Sequence, residues 1–297
     1  IILEDYKRIT QKVLEGRAHE LSESDGLYLS TCRKGAGKDR DRTTQPYGPE
    51  LANRRAWSLK SSYMTALLRA KVFSQEEQES IAKAARDTSK PFAQIIEEEL
   101  LKYRGKSEKE LCKEFNVNFK AKGRNSTLVR KILGLSSDID NTVEFKKANM
   151  NIRAIRVDKN GLPKEDSPFK NYRFIEMANE NEWENSHIYT EIFSKELMFV
   201  IFRETAPKNY VLDHVKFWGF PESLEPELMR VWQETKDTII QGIELTPKPH
   251  GEDGVRVFTN FPKSQMNKIL FTKAHASKSY YELEPGKFVG KGKLKDT

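Results

Sequence analysis

The sequence predicts an α/β (α+β) protein in which a helical N-terminal extension precedes a body of strands and helices. Residues 197–202 are six consecutive apolar side chains, LMFVIF, which is typical of a buried central strand. Residues 226–242 begin with Pro226, end with Gly242 and carry apolar residues at helical spacing, as in an amphipathic helix. Residues 22–56 are rich in Ser, Gly, Pro and charged residues, which indicates a long loop region.

The N-terminal elements are predicted to be helical. Residues 1–15 carry Leu3, Tyr6, Ile9 and Val13 near helical spacing. Further helical patterns cover residues 50–72, 75–86, 91–103 and 107–115. Residues 124–134, RNSTLVRKILG, indicate a helix that is closed by Gly134.

The predicted strands lie in the second half of the chain. A strand is predicted at 150–157, where apolar residues alternate loosely. A second strand is predicted at 196–204, which contains the apolar run at 197–202. Its neighbour is predicted at 210–218, and a final strand pair at 255–261 and 268–275. We therefore divide the chain into a helical, basic-loop connecting segment, residues 1–104, and an α/β domain, residues 105–297.

The composition excludes several classes of protein. The chain has 297 residues, of which 32% are charged, and a mean hydropathy of -0.71, which is typical of a globular protein in water. No apolar run approaches the roughly 20 residues that a membrane span needs, so we expect no membrane partner. Cys32 and Cys112 stand alone, without a CxxC motif, which argues against a disulfide framework or a zinc site and favours the reducing cytoplasm. Since the first residue is Ile1 and not Met, we expect a longer polypeptide.

The positive charge is concentrated in two stretches. The net charge is +7, and residues 31–71 alone hold ten Lys and Arg against three acids. Residues 262–297 hold eight Lys against three acids. Two basic patches favour a polyanion as partner, although a Lys-rich C-terminal stretch can also be merely solvated.

Several motifs occur in the order found in one family of DNA-cutting enzymes. They are Gly105-Lys106-Ser107 before a helix, the helix at 124–134, the strand MNIRAIRV with the turn at 158–163, Trp183-Glu184-Asn185-Ser186, the helix at 227–245 and the segment FTKAHASKSYY. In this order they resemble the MutH family of GATC endonucleases. The resemblance implies a MutH-like restriction-endonuclease fold, of the PD-(D/E)xK type, with a mixed central sheet flanked by helices.

The segment before these motifs narrows the resemblance. Residues 15–36, the tripeptide QPY and residues 53–69 are similar to the middle of GATC-cutting restriction enzymes that carry two MutH-like halves in one chain. In those enzymes the first half cuts DNA and the second half binds DNA as an effector. The resemblance therefore implies that this chain is the second half together with its connecting segment.

The resemblance also identifies the positions where an active site would stand. The family uses a helix Glu, then an Asp, and then Glu-x-Lys on a strand, and its carboxylates hold a divalent metal ion. Matching the strand that runs into Arg156 and Pro163 gives Arg130, Glu144, Asn151 and Arg153 at these four positions. One carboxylate out of three remains and Arg153 cannot act as a base, so we expect no catalytic residue and no metal in this domain.

A second interpretation keeps the nuclease active. Glu144-Phe145-Lys146 is itself an ExK motif, with Asp138 and Asp140 just upstream. Asp140, Glu144 and Lys146 would then form the active site of a Mg-dependent endonuclease that cuts DNA at GATC. A third interpretation treats these residues as ordinary surface charges.

Two surfaces are predicted to contact DNA. Base recognition in the MutH family comes largely from the loop after the last hairpin strand, which implies roles for Lys273, His275, Ser277 and Lys278. The second surface is the basic loop at 31–60, which we expect to contact phosphates unless it is an interdomain linker. Its candidate residues are Arg33, Lys34, Lys38, Arg40, Arg42, Arg54, Arg55 and Lys60, the last three on a predicted helix. Arg130 and Arg153 are expected to contact phosphates in place of the metal.

The sequence therefore predicts a sequence-specific double-stranded DNA (GATC) binding domain, the catalytically inactive allosteric effector of a type II restriction-modification enzyme. The expected partners are GATC-containing DNA and the N-terminal catalytic half of the same polypeptide, where Mg is expected, with a homodimer on DNA as a possibility. A structural dimerisation module whose basic patches bind an acidic protein is the alternative outside nucleic-acid chemistry.

Overall fold

The computed structural model describes residues 2–35, 41–71, 92–136, 138–249, 255–265, 269–272, 281–284, 287–290 and 293–296. The chain divides into two compact units. The first contains Ile1–Phe169 and Phe193–Ser223, and the second contains Lys170–Ile192 and Leu224–Thr297. The predicted boundary between residues 104 and 105 falls inside the first unit.

The N-terminal part of the first unit contains helices and antiparallel strand pairs. Helix α1 spans Ile2–Leu14, β1 (Leu29–Arg33) pairs antiparallel with β4 (Arg55–Leu59), β2 (Arg42–Thr44) pairs with β3 (Leu51–Asn53), and α2 spans Ser61–Lys71. The prediction of a loop at 22–56 and of a helix from residue 50 is therefore wrong. Buried Asp5 on α1 accepts the backbone N–H groups of Leu27, Tyr28 and Leu29, so a distant side chain fixes the start of β1.

Further helices precede the central sheet in the described part of the chain. They are α3 (Phe92–Leu101), α4 (Glu108–Glu114), α5 (Arg124–Ile132) and α6 (Val143–Ala148). Ser107 caps α4, because its hydroxyl accepts the N–H of Glu110 while the Glu110 carboxylate accepts the N–H of Ser107. The predicted helices at 91–103, 107–115 and 124–134 are confirmed.

The central sheet of the first unit is mixed. Its strands are β5 (Met150–Val157), β6 (Glu196–Ala206) and β7 (Asn209–Gly219), in the order β5-β6-β7. β5 runs parallel to β6, and β7 runs antiparallel to it. Leu128, Met198, Phe202 and Leu212 are fully buried in one apolar core that joins the sheet to α3, α4 and α5. The predicted α+β class and the buried central strand are thus confirmed.

The second unit is built around one long helix. Helix α7 spans Phe174–Ala178, and α8 spans Glu225–Gln241, with Pro226 in its first turn and Gly242 just after its end. β8 (Leu245–Pro249) pairs antiparallel with β9 (Val255–Thr259), and β10 (Tyr281–Glu284), β11 (Lys287–Gly290) and β12 (Lys293–Asp296) form a further antiparallel sheet.

The predicted pairing of 255–261 with 268–275 is wrong. β9 pairs with β8 instead, and residues 269–272 are not strand. Throughout the described part of the chain, no helix is both long and apolar enough to cross a lipid bilayer.

Candidate nucleic-acid interface

Strand β5 carries two of the four residues that the sequence aligns with catalytic positions. Asn151 and Arg153 are two residues apart, so their side chains point to the same face of the sheet. Asn151 is 9% exposed. The Arg153 side chain is 18% exposed, and its Cζ lies 5.3 Å from the centroid of the Phe169 ring. The strand therefore presents an amide and a guanidinium where the family has an acid and a lysine.

Asp140 is the carboxylate that lies beside this strand. Its Oδ1 accepts a hydrogen bond of 3.0 Å from the backbone N–H of Ile152, and its Oδ2 lies 4.0 Å from Nη1 of Arg153. Burial raises the pKa of Asp140, although the Ile152 hydrogen bond and the Arg153 charge act in the opposite direction. Burial likewise lowers the pKa of Arg153 against the charge of Asp140. The two groups form a partly buried, oppositely charged pair on β5.

Glu144 lies in a different environment. It belongs to α6, is 7% exposed, and its charge contributes, after burial, to raising the pKa of the buried Tyr28 phenol. The sequence register placed Glu144 at the first acid position. In the structure Asp140 lies beside β5 instead, where it accepts the N–H of Ile152. The sequence did not indicate this contact, because a hydrogen bond between residues 140 and 152 leaves no periodic pattern.

The alternative active site of Asp140, Glu144 and Lys146 requires the acid and the lysine of the ExK motif to share a face. Residues two apart share a face on a strand, but on a helix they are about 200° apart. Glu144 and Lys146 lie on helix α6. The acid and the lysine of this ExK motif therefore do not share a face of α6. Among the residues that the structure describes, no group of three or more His, Cys, Asp or Glu could hold a metal ion.

Arg130 closes its own helix. Its Nη1 donates to the backbone oxygens of Leu135, at 3.4 Å, and of Ser136, at 2.5 Å, just beyond the C-terminus of α5. These contacts fix the chain that follows α5 against the last turn of the helix. Arg130 is therefore half-buried in a structural contact, and its predicted contact with phosphate stays a prediction.

The predicted basic loop contains two antiparallel strand pairs, β1–β4 and β2–β3, which we call the ribbons. Some of their arginines are buried and others are exposed. Arg55 is held inside, since its side chain is 9% exposed and donates to Thr31 O, Leu21 O and the carboxylate of Glu222. Arg33 lies 3.4 Å from the same carboxylate. The exposed basic residues of the ribbons are Lys34, Arg42 and Arg54. Lys38 and Arg40 lie outside the described residues.

Lys60 is buried, which the sequence analysis did not anticipate. It follows β4 directly and is not part of a helix, and its side chain donates a 3.0 Å hydrogen bond to the backbone oxygen of Ala148 at the end of α6. Burial lowers its pKa to about 8. Lys60 and Arg55 therefore stabilise the first unit, and we withdraw both from the candidate DNA contacts.

Lys273, His275, Ser277 and Lys278 lie outside the described residues, so their expected role in base recognition stays a prediction. Thr272, the residue before them, lies in the second unit with its hydroxyl 3.0 Å from that of Thr235 on α8. Its hydroxyl also bonds the Tyr172 side chain. The chain is thus anchored to α8 directly before the expected recognition loop.

A third basic stretch went unnoticed in the sequence. Residues 102–131 hold ten Lys and Arg against three acids, the same balance as residues 31–71. Lys120 and Lys122 are exposed between α4 and α5. The net charge summed over successive windows of the sequence identifies this stretch. The helical spacing of its apolar residues does not.

Comparison with known proteins gives the wider context of this geometry. No protein-family model matches the chain. Over 95% of its length it is 31% identical to the type II restriction enzyme Sau3AI of Staphylococcus aureus. The chain is a relative of Sau3AI. The chain spans 60% of the length of that enzyme. The predicted resemblance to an enzyme of this kind is confirmed.

Proposed function

We propose that the chain is a catalytically inactive, DNA-binding effector region of a type II restriction enzyme, and that it recognises GATC in double-stranded DNA through a MutH-like fold. The single observation that carries the proposal is the guanidinium of Arg153 beside Asp140 on β5. The kinship with Sau3AI supports DNA as the partner, and the shared motif order supports GATC as the sequence.

The physical reason for inactivity is the sign of the charge at this position. A divalent ion held by Asp140 would be attracted by one negative charge and repelled by the positive charge of Arg153, so its binding would be weaker than at a carboxylate alone. Arginine stays protonated in proteins, so a change of pH does not remove the repulsion. The hydrolysis step, and the Mg that it needs, belong in this proposal to an N-terminal catalytic half of the same cytoplasmic polypeptide.

The same guanidinium favours binding of DNA. Phosphate oxygens accept charge-assisted hydrogen bonds from arginine, and such contacts need no metal. Phosphate contacts give affinity and orientation, while discrimination between sequences requires contacts with base edges. We assign the phosphate contacts to Arg153 and to Lys34, Arg42 and Arg54, and the base contacts to the loop after Thr272.

A gel shift in the presence of EDTA tests this function. We expect a duplex containing GATC to bind more tightly than a scrambled duplex of the same length without any divalent ion. Equal binding of both duplexes would remove the claim of specificity. Absence of binding would remove DNA as the partner and favour a dimerisation module, which size-exclusion chromatography would then detect.

A further inference from the structure

The segment between α4 and α5 forms a basic projection from the first unit. We call residues 119–124, Phe-Lys-Ala-Lys-Gly-Arg, the FKAKGR loop. Lys120 and Lys122 are exposed, and a Cβ added to Gly123 would meet no atom within 4 Å. The backbone at Gly123 is therefore not covered by other parts of the described chain.

The three acids of residues 102–131 do not neutralise this loop. The carboxylate of Glu108 is buried and accepts hydrogen bonds from Arg124, Asn125 and Arg156. Glu110 caps the start of α4, and Glu114 lies 2.7 Å from the ammonium group of Lys106. Each acid has a partner within the fold, so the charges of Lys120 and Lys122 remain directed to the solvent.

The loop also has a fixed shape. The guanidinium of Arg124 lies 4.8 Å from the ring centroid of Phe119, a cation–π contact that joins the two ends of the loop. Before the loop, Lys131 donates to the backbone oxygens of Phe115 and Asn116, at 2.7 and 3.2 Å. A loop held at both ends loses little conformational freedom when it binds.

We infer that the FKAKGR loop is a further DNA-backbone contact of this chain, separate from Arg153 and the ribbons, in which Lys120 and Lys122 bind phosphates of the duplex. The inference rests on the proposed function and adds a surface to it. Two lysines at the edge of an open loop suit phosphates, which need charge and not a shaped pocket. No base-specific role is assigned to the loop, because lysine ammonium groups on phosphates carry no sequence information.

The salt dependence of binding tests this contact. The Lys120→Gln, Lys122→Gln variant removes two phosphate contacts, so the slope of log Kd against log salt concentration should fall by about 2 on GATC and scrambled duplexes alike. The matched control is Lys7→Gln, Lys208→Gln, which removes two exposed charges from α1 and from the turn between β6 and β7 and should leave the slope at the wild-type value. Thermal unfolding of both variants checks that the fold is unchanged.

The possible results separate this inference from the proposed function. If the wild-type chain binds and the Lys120→Gln, Lys122→Gln variant keeps the wild-type slope, the contact at the FKAKGR loop alone is overturned. An equal loss in both variants would overturn it as well, since general charge would then suffice. Failure of the wild-type chain to bind any duplex would instead overturn the proposed function.

Discussion

Asp140 lies beside Arg153 on β5: one carboxylate oxygen lies 4.0 Å from Nη1 of Arg153, and the other accepts the N–H of Ile152. The same Nη1 donates to the backbone oxygen of Ile152 at 2.7 Å, so Ile152 contacts both members of the charged pair. Under the proposed function, the guanidinium of Arg153 at this position binds a DNA phosphate.

Arg153 is therefore expected to contribute to affinity without contributing to specificity. Arg153→Gln should weaken binding of GATC and scrambled duplexes by about tenfold each, which corresponds to about 1.4 kcal/mol. The reason is the loss of a charge-assisted contact with phosphate. Fluorescence anisotropy with both duplexes measures the effect.

The control for this variant is its own partner. Asp140→Asn removes a negative charge beside the proposed phosphate position and keeps an acceptor for the N–H of Ile152, so affinity should stay equal or increase. Unchanged binding by Arg153→Gln, or weaker binding by Asp140→Asn alone, would show that the pair only stabilises the fold.

Lys60 predicts an unusual dependence of stability on pH. Burial lowers its pKa in the folded chain to about 8, whereas an unfolded lysine keeps its proton to about pH 10.4. Between these values the unfolded chain binds more protons, so the free energy of unfolding should rise with pH. The rise contributed by this one group is at most about 3 kcal/mol. Urea unfolding at a series of pH values from 7 to about 9.5 measures this rise. The upper limit lies below the pH at which exposed tyrosines ionise.

Two substitutions test whether Lys60 is the group that causes the rise in the free energy of unfolding with pH. Lys60→Met should flatten the alkaline rise, whatever its effect on stability at pH 7. Ser62→Ala, which loses a hydrogen bond to the adjacent Lys147 oxygen, should keep the rise because Lys60 is still present. The same slope in Lys60→Met and wild type would show that another group titrates.

Glu222 is expected to anchor the basic ribbons. It is 9% exposed and accepts hydrogen bonds from Asn53 and Arg55, with Arg33 at 3.4 Å. Glu222→Gln would leave the buried guanidinium of Arg55 without its counter-charge, so we expect a loss of about 3–5 kcal/mol in the free energy of unfolding. Urea denaturation measures this loss.

The exposed pair Arg230–Glu227 on α8 provides the comparison, since its side chains are 40% and 45% exposed. Glu227→Gln should cost no more than about 0.5 kcal/mol. Similar small losses for both glutamates would mean that water reaches Arg55 and that the ribbons do not depend on Glu222.

The sequence predicted the elements whose signal lies within their own residues, such as an apolar run or residues typical of helix ends. The apolar run at 197–202 is a buried strand because its side chains need a core on both sides, and α8 follows from its apolar face and its terminal Pro226 and Gly242. The ribbons β1–β4 escaped prediction because their anchors, Asp5 and Glu222, are distant in sequence.

The candidate site shows the same limit. The resemblance to the MutH family, and not the residue pattern, identified Asn151, Arg153 and Glu144 as candidates. It did not indicate that Asp140 lies beside Ile152, since the turn between them has no periodic signature. The ExK motif at 144–146 was ambiguous for a related reason: the same three letters fit a strand or a short helix, and packing decides between them.

The most direct test of the central claim compares the affinity for a GATC duplex in EDTA and in Mg at constant ionic strength, with plasmid cleavage followed in the same samples. We predict dissociation constants that agree within about twofold and intact plasmid, because Arg153 already supplies the cation. Binding that requires Mg, together with cleavage at GATC that Asp140→Asn abolishes, would contradict the account.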